Sequence, residues 1–83
     1  MITIDCTGLE DARQLHELLK QELDFPDYYG YNLDALFDCL TDIARDTTIR
    51  LEGFLELGEW RCRFANTFAN AALENPCLDI ILN

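Results

Sequence analysis

Asp34, Asp38 and Asp42 recur at intervals of four residues, directly after a segment, Asp27-Tyr28-Tyr29-Gly30-Tyr31-Asn32, that holds all three tyrosines of the chain. On a helix that spacing places the carboxylates along one edge. Such a row has three chemical uses: moving protons, holding a hard cation such as Mg²⁺, or presenting anions to a positively charged surface. Between Gln21 and Ala44 there are six carboxylates and no Lys or Arg. Like charges four residues apart destabilise a helix by roughly 0.2–0.5 kcal/mol per pair. Asp42 also falls near the end of the helix, where the dipole disfavours an anion. A face that only had to be wetted would be more stable with lysines interspersed. The uninterrupted acid therefore points to a basic partner.

The tyrosines suit the same use, since each offers a broad apolar ring and a polar tip at low entropy cost. At least one of the rings is expected to cover the edge of the core. Gly30 is expected to supply a positive φ or a close backbone approach. Catalysis fits less well, because a convex helix edge offers no enclosed, desolvated pocket. His16, the single histidine, falls on the first helix and is expected at the surface or the core edge. Cys6, Cys39, Cys62 and Cys77 contain no C-x-x-C pair, so zinc-ligand spacing is absent. They are expected to be free thiols packed as small apolar side chains, although chain order leaves a bridge open. No metal, no cofactor and no enzymatic activity are expected.

The elements that must hold this constellation follow from periodicity. Ile2-Thr3-Ile4-Asp5-Cys6 alternates and is β-branched, which predicts a strand. From Asp11 to Leu23, Ala12, Leu15, Leu18, Leu19 and Leu23 recur at helical spacing, and Pro26 follows as a stop. Asn32 is a candidate N-cap for the second helix, with Tyr31 placed to staple onto Leu36 and Asp34 favourable in the first turn. Leu33, Leu36, Phe37, Leu40, Ile43 and Ala44 form its apolar face. Thr47 to Leu51 predicts a second strand, and Gly53 to Gly58 turns around a possible short helix. Trp60, Phe64, Phe68 and Ala72 step by four along a further helix and are expected in the core. Leu78-Asp79-Ile80-Ile81-Leu82 predicts a strand suited to an inner position. This alternation predicts a single α/β domain over residues 1–83, with a three-stranded parallel sheet and three to four packed helices.

The chain has 83 residues, 16 acidic against 6 basic, for a formal charge of −10. That balance repels nucleic acid and anionic membrane surfaces and attracts basic protein. No apolar run approaches the roughly 18 residues of a membrane span. The start Met1-Ile2-Thr3-Ile4-Asp5 lacks the basic and apolar regions of a signal peptide, which makes a cytoplasmic location the default expectation.

The run from Pro26 to Asp38, with its Y-Y-G-x-N-L-D-A-L core, resembles the signature of the barstar family of intracellular ribonuclease inhibitors. The likeness extends from the first strand through the second helix and resumes at Asp79-Ile80-Ile81-Leu82. It implies the same three-stranded parallel sheet and a binding surface made by the tyrosine loop and the second helix. It also implies that carboxylates of that helix occupy the phosphate site of a nuclease. Asp38 would be the central anion, with Asp34 beside it. Tyr28 would pack over the active site, and Gly30, Asn32 and Leu33 would add backbone or polar contacts. Thr41 and Asp42 would lie at the edge.

The chain departs from the family pattern in places. Phe37, on the same surface, and Ile43 stand where the best-known member has tryptophans. A glutamate contact of that member falls at Asn70, with Glu74 one turn on, and the Gly53–Gly58 segment is shorter. The partner implied is a basic secreted ribonuclease or ribonuclease toxin of the barnase type, met by a protein that is monomeric when free. A different basic protein, bound through the same face, is the alternative.

Overall fold

The computed structural model describes all residues from Met1 to Asn83. Its elements are β1 (Ile2–Asp5), α1 (Ala12–Leu23), α2 (Leu33–Thr41), β2 (Thr47–Glu52), a 3₁₀ turn (Phe54–Glu56), α3 (Arg61–Glu74) and β3 (Leu78–Leu82). The three strands form one parallel sheet in the order β1-β2-β3. This is the α/β architecture expected, with three α-helices and the segment after β2 reduced to a single 3₁₀ turn.

Register explains the layering. Ile4, Leu51 and Leu82 lie side by side, as do Ile2, Ile49 and Ile80. These residues are in or against the core, whereas Thr3, Asp5, Asp79 and Ile81 are exposed. The helices thus cover one face of the sheet, and the opposite face is mostly polar. β3 was expected to be an inner strand, but it lies at an edge. Asp79 and Ile81 occupy its open face, so only every second residue of the apolar run turns to the core, Leu78 buried and Ile80 and Leu82 partly so. The central place goes to β2, whose Ile49 and Leu51 are fully buried.

The core between sheet and helices is built on Leu15 and Leu19 of α1, Leu36 and Leu40 of α2, and Phe64, Phe68 and Ala71 of α3. Phe54 closes one end, its ring 6.0 Å from that of Phe68. On α3 the buried row ends on Ala71, not on the expected Ala72, and Trp60 sits half-buried just before the helix. A step of four residues advances about 40° beyond a full turn, so a four-residue row drifts off the core within three steps. Helix α2 stops at Thr41, which leaves Ile43 and Ala44 beyond its C-cap. Cys6, Cys39, Cys62 and Cys77 are all free thiols; Cys6 is buried, whereas Cys62 is exposed. Burial pushes the Cys6 thiol up to about 11.

Candidate functional site

Helix α1 ends on Asp24, whose left-handed φ of 54° turns the chain while its N–H donates to the Lys20 carbonyl. The chain then folds on itself, with the Tyr29 N–H donating to the Pro26 carbonyl at 2.9 Å. This turn sorts the tyrosines. Tyr28 is carried outward and is 88 % exposed, whereas Tyr29 is 4 % exposed. Tyr29 packs its ring 4.9 Å from Phe25 and brings its hydroxyl 2.6 Å from His16 Nδ1. His16 is therefore a buried residue, contrary to the surface or edge position expected, with the Phe64 ring tilted against it at 4.8 Å between centres. Burial, aided by the charge of Arg13, holds the imidazole below its ordinary value, so it is neutral. Burial likewise raises the Tyr29 phenol, which keeps its proton.

Tyr31 carries the strained backbone, with a φ of 53°. A non-glycine residue in that region costs on the order of 1–3 kcal/mol and needs surrounding contacts to hold it. The Arg13 guanidinium lies 4.6 Å and the Lys20 ammonium 5.5 Å from the centre of its ring. Such contacts contribute about 0.5–1 kcal/mol each at exposed sites. The ring expected to staple onto Leu36 is thus engaged by α1. Of the two reasons considered for Gly30, the structure selects close approach. A Cβ there would stand 2.8 Å from Asn32 Nδ2. That amide donates to the Gly30 carbonyl at 3.2 Å, while Asn32 Oδ1 accepts from the Ala35 N–H at 2.8 Å. Asn32 is the N-cap expected, and it also locks the loop to the helix it starts.

Along α2, Leu36 and Leu40 face the core, Leu33, Phe37 and Thr41 are half-buried, and Asp34, Asp38 and Asp42 are exposed. The ion pairs of the molecule are Arg13 with Glu17 and Arg50 with Glu52. The α2 carboxylates consequently have no cation within 4.0 Å. No cluster of His, Cys, Asp or Glu is arranged to hold a metal ion; the three aspartates stand as separate anions. Thr41 turns its hydroxyl back to the Phe37 carbonyl at 2.9 Å, leaving the oxygen's acceptor capacity for any outside contact. The expected convex edge is in fact flanked by an open groove of about 690 Å³, with Tyr28, Gly30, Asp38 and Asp42 at its walls and Phe25 and Ile43 among its apolar lining. Asn70 and Glu74 are exposed on α3, which packs along α2.

Three contributors were not anticipated: Arg13 and Lys20 around Tyr31, the His16–Tyr29 hydrogen bond, and Asn75. The buried Asn75 amide donates to the Leu40 carbonyl at 3.0 Å and the Ile43 carbonyl at 2.9 Å. Nothing local in the sequence marks these partners.

An exposed tyrosine and a row of carboxylates without paired cations stand together on a capped helix of a small parallel α/β domain. The family model described as "Barstar (barnase inhibitor)" matches residues 1–73. The chain is also similar to the protein named "Putative ribonuclease inhibitor YrdF" from Bacillus subtilis (strain 168), being 45% identical over 74 residues, which cover 88% of this chain and 77% of that protein. The chain belongs to the barstar family, a family of protein inhibitors, and is not an enzyme. No helix is long and apolar enough to cross a membrane.

Proposed function

We propose that the chain inhibits a barnase-type, guanyl-specific ribonuclease by laying α2 and the preceding loop over its active site. The observation that carries this reading is the exposed row Asp34, Asp38 and Asp42 with no cation near it. An active site that cleaves RNA is built to hold phosphate through positive side chains, and fixed carboxylates satisfy the same donors. Asp38 is the central anion, flanked by Asp34 and Asp42. Tyr28 covers the nuclease site with its exposed ring, and Gly30, Asn32, Leu33, Phe37 and Thr41 complete the contact surface.

The reading includes a cytoplasmic antidote that is monomeric until it meets a basic nuclease. The name of the 45% identical relative, "Putative ribonuclease inhibitor YrdF", supports the inhibition of a ribonuclease. The test is titration of the purified chain into a barnase-type ribonuclease while RNA hydrolysis is followed. Stoichiometric loss of hydrolysis is expected, and Asp38→Ala should need a higher concentration for the same loss. Uninhibited hydrolysis, together with capture of a basic protein that lacks nuclease activity, would favour the alternative partner.

A further inference from the structure

The C-terminal end of α2 lacks the devices that usually close a helix. There is no basic residue in its last turn, and its C-cap, Asp42, is right-handed with φ −82°; no glycine turns the chain. The carbonyls exposed there repel the very carboxylates the site displays. Two of them, Leu40 O and Thr41 O, accept from Asn75, which is 34 residues from Thr41 in sequence and 6 % exposed. Its Nδ2 donates at 3.0 Å to Leu40 O and 2.9 Å to Ile43 O, with Thr41 O at 3.5 Å. Its Oδ1 accepts from the Cys77 N–H at 3.0 Å. The orientation of the amide is fixed by its partners, since carbonyls require the NH₂ and the Cys77 N–H requires the oxygen.

The backbone of Asn75 is engaged as well. Its N–H donates to Ala71 O at 2.9 Å and its carbonyl accepts from Leu78 N at 3.1 Å. One residue therefore joins the end of α3, the start of β3 and the end of α2. A Lys or Arg at the same point would also satisfy carbonyls, but it would place a positive charge beside Asp38 and Asp42. A neutral amide closes the helix and leaves the acidic field undiminished.

We infer that Asn75 is a positioning residue for inhibitor action, holding the last turn of α2 so that Asp38 and Asp42 meet the partner already ordered. The inference rests on the proposed ribonuclease-inhibitor reading. Its test compares the full chain with Asn75→Ala, each alone and combined with Asp38→Asn or Asp34→Asn, by nuclease binding kinetics at a temperature where every variant is folded. Amide hydrogen exchange of the free proteins is measured in parallel.

Asn75→Ala should weaken binding on the order of tenfold, chiefly through faster dissociation. The loss should shrink in the Asp38→Asn background and persist in the Asp34→Asn background. Exchange should quicken selectively at Asp42 and Ile43, whose N–H groups donate to Asp38 O and Leu40 O. Unchanged affinity, or an equal loss in both aspartate backgrounds, would overturn the inference. If the wild-type chain binds no barnase-type nuclease, the functional reading fails separately. The clamp is then decided by exchange: selective opening at Asp42 and Ile43 supports it, and unchanged or uniform protection overturns it.

Discussion

The hydroxyl of Tyr29 and Nδ1 of His16 meet at 2.6 Å inside the core, tying the loop that displays Tyr28 to the helix before it. Neither group has its usual acidity: burial, and then Arg13, lowers the His16 imidazole from 6.5, while burial raises the Tyr29 phenol. The unfolded chain therefore takes up a proton on His16 before the native chain does. The stability contributed by the neutral imidazole is complete above pH 6.5. It declines as pH falls below that value, until the native imidazole is also protonated. Urea unfolding from pH 8 to pH 5 should show the midpoint falling below about pH 6.5, and His16→Gln should flatten that dependence. Tyr29→Phe, which leaves a buried ring nitrogen without its partner, should cost about 1–3 kcal/mol.

At alkaline pH the sign reverses in cause but not in outcome. Cys6, Cys39 and Tyr29 are all raised by burial, so the unfolded chain loses these protons first. Stability should start to fall once pH passes 9.0, the ordinary thiol value. Cys6→Ala should make that fall shallower, with a lower plateau at neutral pH, as read by the same unfolding series.

Asp38 stands in two like-charge pairs, with Asp34 and with Asp42. Asp38→Ala should therefore leave the free protein as stable or more stable, by about 0.4–1 kcal/mol. The same change should weaken nuclease binding by about 3–5 kcal/mol, because buried cations of the partner lose their counter-ion. Chemical denaturation and calorimetric binding, run on the same preparation, check both halves. A variant that loses stability while keeping its affinity would contradict the assignment.

Tyr28 separates contact from folding in another way. At 88 % exposure its removal should change stability by no more than about 0.5 kcal/mol. Tyr28→Ala should nevertheless raise the dissociation rate of the nuclease complex, measurable by surface plasmon resonance. The association rate should respond instead to ionic strength. With a formal charge of −10 it should fall steeply as salt is raised, because the steering field is screened within roughly 8–10 Å.

Gly30 tests how the loop is locked. A methyl group there would press on Asn32 Nδ2 at 2.8 Å. Gly30→Ala should displace the N-cap of α2 and cost about 0.5–2 kcal/mol, as loss of a cap side chain does. The loss should appear in thermal unfolding, and Asn32→Ala should reproduce most of it. The two changes combined should cost less than their sum, since both act on one contact.

The elements with a strong local period were legible in the chain. Leu15 and Leu19, or Leu36 and Leu40, announce buried helix faces, and Asn32 ahead of Leu33 announces a cap. The aspartate row and the tyrosine loop were legible for a related reason: residue type and spacing define them without reference to distant parts of the chain. What was not legible depends on partners far away. His16 reads as a helix-surface residue until Tyr29 is brought across to it. Tyr31, and not Gly30, takes the positive φ, and its ring lies against Arg13 and Lys20 from α1. The edge position of β3 follows from β2 pairing on both sides, and a strand's own residues do not encode that choice. The end of α2 is likewise set from outside, by Asn75.

That last contact gives the protein an order of assembly in time. Chain synthesis runs from residue 1 onward, so the helix that bears Asp38 leaves the ribosome well before the side chain that closes it. At about 5–20 residues per second, the interval between Thr41 and Asn75 is roughly 2–7 s. Throughout that interval the nascent chain carries the aspartates of α2 but not the side chain that bonds the end of their helix. If Asn75 acts as proposed, inhibitory capacity should arise abruptly, when the third strand docks, and not grow in step with the length of chain made.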